Sequence, residues 1–152
     1  MNTIIDKAKH RGQEQQLPYA GAVTPEEAFQ LLQDNNQVLL VDVRTNAERD
    51  WVGRVQIAEG QHKAVQWSLY PSGAPNPEFM AQLTAAITDK NTPILFLCRS
   101  GVRSRHGAKL ATENGYTACY DILQGFEGDK DHHGHRKTVG GWCSADLPWI
   151  GA

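Results

Sequence analysis

The chain has 152 residues, the length of one ordinary domain, which leaves little room for two. With 40% apolar and 21% charged residues it is an ordinary globular composition, which excludes collagen, coiled coil and wholesale disorder. Fifteen Lys and Arg against 17 Asp and Glu leave a net charge of −2, so no general basic field exists to hold nucleic acid or anionic lipid. Neither nucleic acid nor membrane is expected as a partner.

The longest unbroken apolar run, residues 94–98, is far short of the roughly 18 residues a membrane-spanning helix needs. Ile4 and Ile5 meet Asp6, Lys7 and Lys9 at once, which lacks the apolar stretch of a secretory signal. A cytoplasmic protein is therefore expected. Three cysteines without a Cys-x-x-Cys pair argue against a disulfide framework and for reduced thiols.

Residues 1–16 are polar and weakly amphipathic, and residues 1–19 are read as a helical arm ahead of a domain over 20–152. Thr24-Pro25-Glu26-Glu27 sets a capping hydroxyl, a proline at the first helical position and a reciprocal glutamate, which predicts a helix over 24–34. Val38-Leu39-Leu40-Val41 is a short branched apolar run, as expected of a strand covered on both faces. The pattern repeats, with a helix from Asn76-Pro77 to about Ile87 and a second buried strand at Ile94-Leu95-Phe96-Leu97. A helix over 104–114 stops at Asn114-Gly115, and a short strand follows near 118–121. Alternating helices and strands predict an α/β fold with a mostly parallel sheet. Residues 125–141 are glycine-rich and charged, and are read as a long surface loop before the closing Trp142…Trp149 segment.

Parallel sheets bind ligands beyond the carboxyl ends of their strands. Cys98 ends the second buried strand, and Arg99-Ser100-Gly101-Val102-Arg103-Ser104 leads from it into a helix. Backbone N–H groups and the positive helix end would face the sulfur and favour thiolate over thiol. Cys98 is thus the candidate nucleophile, where packing as a small core residue is the alternative. A tyrosine-phosphatase loop needs Cys-x5-Arg, but position 104 is Ser, and Arg103 gives a tighter Cys-x4-Arg that suits one carried sulfur atom.

The loop Cys98-Arg99-Ser100-Gly101-Val102-Arg103 with Ser104, the segment Asp42-Val43-Arg44 with Glu48 beyond it, and the closing Gly141-Trp142…Leu147-Pro148-Trp149 resemble the rhodanese-like sulfurtransferases. The resemblance implies a rhodanese-like fold, a five-stranded, mostly parallel sheet flanked by helices on both faces. It also implies a Cys98 persulfide that takes sulfane sulfur from thiosulfate or a persulfide donor and passes it to cyanide or a thiol. Partners would be a small anionic sulfur donor and a thiol or protein acceptor, with no cofactor. Where the family shows Gly-His-Ile and then Pro-Gly-Ala, this chain reads Gly53-Arg54-Val55-Gln56-Ile57-Ala58, so that region is expected to loop differently. The alternatives are a non-catalytic binding or regulatory module of the same fold and, disfavoured by loop length, a cysteine-dependent phosphatase or arsenate reductase.

In this reading the loop residues Arg99, Ser100, Gly101, Val102, Arg103 and Ser104 bind substrate, with Arg99 and Arg103 drawing in the anionic donor. Ser100 and Ser104 offer hydroxyls to the sulfur, or a cap to the helix, with capping expected of Ser104. Asp42 and Arg44 are expected to support the loops as an ion pair, and Trp142 to wall the pocket or fill core. His132-His133-Gly134-His135 with Cys143 invites a zinc site, but the ligands lack regular spacing and no metal is expected. Cys119 or Cys143 could resolve Cys98 as a disulfide, though burial as inert thiols is the reading favoured here.

Overall fold

The computed structural model describes residues 3–151. Helix α1 (Thr3–Glu14) leads to β1 (Gly21–Val23), α2 (Pro25–Asp34), β2 (Leu39–Asp42), α3 (Asn46–Trp51) and β3 (Arg54–Val55). A 3₁₀ turn (Glu59–Gln61) precedes β4 (His62–Ala64), then come α4 (Phe79–Ala86), β5 (Ile94–Leu97), α5 (Arg103–Glu113), β6 (Cys119–Ile122) and β7 (Trp149–Ile150). Five strands form one parallel sheet in the order β1-β6-β5-β2-β4. The remaining two, β3 and β7, make a separate antiparallel pair, so within the 53–58 segment Arg54 and Val55 pair with Ile150 and Trp149. Among the described residues no helix is long and apolar enough to cross a membrane.

The central strands are apolar on both sides because helices cover both faces. Leu95 and Leu97 of β5 point to a core shared with Ala28, Leu31 and Leu32 of α2 and Ala8 of α1. Ile94 and Phe96 point the other way, to Phe79 and Leu83 of α4 and Ala108 and Ala111 of α5. The alternation of a strand puts Cys98 on the second side, in the α5 core.

The predicted cap of α2 is present in full: Thr24 Oγ1 accepts from the Glu27 N–H at 3.1 Å and Glu27 Oε1 accepts from the Thr24 N–H at 2.9 Å. Glu27 also takes Arg11 of α1 at 2.6 Å. Helix α1 runs through Gly12 without a break and lies on β1, with Ala8 fully buried. The close approach depends on two glycines, since a Cβ at Gly12 would stand 2.5 Å from the Ala20 carbonyl oxygen and one at Gly21 2.0 Å from that of Ala8.

The surface loop expected over 125–141 is corrected at its start. Residues 125–128 are buried, with Phe126 fully so. They are strapped to the Cys98 loop: the Phe126 N–H donates to Cys98 O at 2.8 Å and the Glu127 N–H to Arg99 O at 2.9 Å. Further out, Gly128 and Gly140 cross so closely that a Cβ at Gly128 would lie 2.2 Å from the Gly140 oxygen. Beyond that crossing, Asp131 organises the loop by accepting from the His133 and His135 N–H groups and the Thr138 hydroxyl.

Candidate active site

Parallel register brings the carboxyl ends of three strands together: Asp42 pairs across to Leu97, and Phe96 to Asp121. Cys98 therefore sits between Asp42 and Asp121, at the end where parallel sheets place ligands. The loop after Cys98 curls at Gly101, whose φ of +106° suits glycine, and runs into α5 at Arg103.

The sulfur is buried, at 1% exposure. The Gly101 N–H donates to Sγ at 3.0 Å, and Sγ lies 3.3 Å from Ser104 Oγ. Among the described residues, Gly101 is the one loop amide that bonds the sulfur, where several were expected. Ser104 is not the cap of α5. The N-cap position falls on Val102, half-exposed and without a capping side chain, while Ser104 lies inside the first turn and donates to Asp121 Oδ1 at 2.5 Å. Ser100 and Gly101 border a cavity of ≈ 340 Å³ with Arg105, Asp121 and Gln124.

Both loop arginines have intramolecular carboxylate partners. Arg103 binds Glu48 through both terminal guanidinium nitrogens, at 2.6 and 2.9 Å, and Arg99 Nε meets Glu127 at 3.2 Å. Glu48 is held in turn by the Thr45 N–H and hydroxyl, each at 3.1 Å. Burial alone would raise the Glu48 carboxyl, but the Arg103 hydrogen bonds and charge, with Thr45, outweigh it and bring it down to about 2. The charge the sequence offers to an anion is thus largely neutralised within the fold. Glu48 is the fourth residue of a Thr-x-x-Glu box that also starts α3, a helix not expected from the sequence. Glu127 carried no local signal, being far along the chain from Arg99.

Asp42 and Arg44 are both fully buried and pair at 2.8 Å, with Arg44 also donating to the Gly53 carbonyl and stacking over Phe126 at 4.3 Å. They brace the strand end and the strapped segment. Trp142 does not wall this pocket. It is fully buried on the α2 side, edge-on to Phe29, with its indole N–H donating to the Pro148 carbonyl. Cys119 opens β6 opposite Ile94, a whole strand or about 13 Å from Cys98, too far for a disulfide. Burial pushes the Cys119 and Cys143 thiols up to about 11, which keeps both protonated and unreactive. His132, His133 and His135 are exposed while Cys143 lies in the core, so the four do not meet; among the described residues no three His, Cys, Asp or Glu side chains are placed to hold a metal ion.

A five-stranded parallel sheet with a cysteine at the end of a central strand, a six-residue loop and a helix behind it defines a rhodanese-like domain. Residues 20–152 match the family described as "STR4 middle domain", and the chain belongs to that family. It is 35% identical over 125 residues to the uncharacterized protein RC0915 of Rickettsia conorii, covering 80% of this chain and 90% of that one. The crystal structure of Rv0390 from M. tuberculosis superposes with a TM-score of 0.80 at 41% identity, over 88% of this chain and 99% of that one. The thiosulfate sulfurtransferase GlpE of Haemophilus influenzae is 26% identical over 129 residues, covering 83% of this chain and 90% of the relative. The role is accordingly that of a rhodanese-type, sulfurtransferase-like domain.

Proposed function

We propose that the domain is a sulfurtransferase that carries one sulfane sulfur on Cys98. The observation that carries this reading is the Cys98 sulfur receiving the Gly101 amide at the N-terminal end of α5, in a loop too short for a tetrahedral phosphoryl group. In the first half-reaction the Cys98 thiolate attacks the outer sulfur of thiosulfate or a persulfide. The donor S–S bond breaks, and sulfite or a thiolate leaves with the electron pair. In the second, cyanide or an acceptor thiolate attacks the terminal sulfur of the Cys98 persulfide, and Cys98 leaves as thiolate. Neither step calls for a cofactor. The likeness to a protein named thiosulfate sulfurtransferase supports the donor, and the three unpaired cysteines support a reducing compartment such as the cytoplasm.

A second reading, a non-catalytic binding module, draws on Arg99 and Arg103 being already engaged by Glu127 and Glu48. One experiment separates the two. The protein is incubated with thiosulfate and cyanide, thiocyanate is followed, and the Cys98 peptide is weighed after donor alone. Thiocyanate formation that is lost in Cys98→Ser, with one added sulfur on the wild-type peptide, is the expected result. Absence of both in the wild type defeats the sulfurtransferase.

A further inference from the structure

Behind the loop, Cys98, Ser104 and Asp121 stand in a row, exposed by only 1%, 0% and 1%. Sγ lies 3.3 Å from Ser104 Oγ, and the same hydroxyl bonds Asp121 Oδ1. A serine hydroxyl has one proton and donates one bond at a time. With that proton given to Asp121, Ser104 offers the sulfur only lone pairs, so Cys98 completes the chain by donating its own S–H. With Asp121 protonated the chain reverses: Asp121 donates to Ser104, and Ser104 donates to a sulfur anion. A carboxylate and a thiolate cannot both hold the Ser104 proton.

We infer that Cys98 and Asp121 share one proton through Ser104, so that Asp121 is a positioning residue which takes the thiol proton when the sulfur ionises and returns it when the sulfur is protonated. The transfer balances internally. The S–H bond of Cys98 and the O–H bond of Ser104 break, new O–H bonds form on Ser104 and Asp121, and no electron moves.

The surroundings fit this assignment. Burial, opposed by the Ser104 bond and the Arg105 charge, pushes the Asp121 carboxyl up to about 7, so it can hold a proton near neutrality. Arg105 faces it from α5, and Tyr19 faces it from the segment before β1. Burial pushes the Tyr19 phenol up to about 12, so it adds no charge in this range. Asp129 lines the same ≈ 340 Å³ cavity as Asp121 and Arg105. Two ionising groups coupled in this way titrate as a pair. The inference deepens the Cys98 reading above and rests on that residue being the working sulfur.

The test is alkylation of Cys98 by iodoacetamide across the pH range, read by peptide mass in the full chain. In Asp121→Asn the neutral amide can donate to Ser104 and carries no opposing charge, so Cys98 should react at least about threefold faster than in wild type near pH 7. On a Ser104→Ala background the same substitution should change the rate less than half as much. Unchanged or slower alkylation in folded Asp121→Asn, or an equal effect with and without Ser104, overturns the proposal. Isotope-edited infrared of the Asp121 carboxyl supplies a second reading that needs neither alkylation nor an Asp121 variant. The wild type should titrate broadly in two steps and Cys98→Ala in one, and identical curves also overturn it. Neither measurement uses a sulfur donor, so a protein that makes no thiocyanate yet shows the coupling loses its proposed function and keeps the shared proton, and the converse result separates them the other way.

Discussion

At the scale of single residues, two carboxyls near the sulfur are tuned in opposite directions, and their pH signatures differ in sign. Glu48 sits near 2 in the fold against 4.5 as its ordinary value. Its folded value is lower, so the stability it contributes is present above about 4.5 and is lost as pH falls toward about 2. Glu48→Gln should therefore lower the unfolding free energy by roughly 1–3 kcal/mol near pH 7, with the gap closing in acid, as urea melts at several pH values would show. Asp121 runs the other way. Its folded value of about 7 lies above its ordinary 3.8, so stability is fullest below about 3.8 and declines as pH rises to about 7. The melting temperature of Asp121→Asn, measured against wild type, should gain progressively between those limits and level off above them. Cys98 is legible in the chain because its strand, polar loop and helix form a local pattern, whereas the Thr45-to-Glu48 box is recognised only with α3 in view. The partnership of Ser104 with Asp121 is not legible there, since it depends on the register of β6 beside β5, and a Ser in the first turn of a helix reads as a cap.

At the scale of elements, helices announced themselves where a cap and a long apolar face coincided, as at Thr24 and through α2. Helix α3 is six residues long with no buried side chain, so no apolar face marks it in the sequence. Strands β2 and β5 are continuous apolar runs, whereas β4 reads His62-Lys63-Ala64 and β1 only Gly21-Ala22-Val23, too short or too polar to register as periodic. Gly21 matters in a way that composition hides, because it lets the backbone of α1 rest on β1. Gly21→Ala is expected to destabilise the domain by about 2 kcal/mol or more and to increase hydrogen exchange in α1 ahead of the rest of the chain. Exchange that rises uniformly would mean that α1 and the sheet open together.

For the molecule as a whole, the alternation of helix and strand made the α/β architecture readable, and the sheet order then decided which strand ends converge. The conversion of sequence to site was limited by contacts that no spacing rule covers, such as Arg99 to Glu127. The crossing of Gly128 and Gly140 bears on how such a domain can diversify. It ties off residues 129–139 as a side branch whose root is sewn to the body, while Gly134 at its tip has open space around it. Lengthening a loop costs only about 0.6 kcal/mol per doubling. A flexible peptide spliced in after Gly134 should thus leave the melting temperature within a few degrees and Cys98 alkylation unaltered. New recognition elements could be grafted onto that branch while the chemistry at its foot is inherited intact.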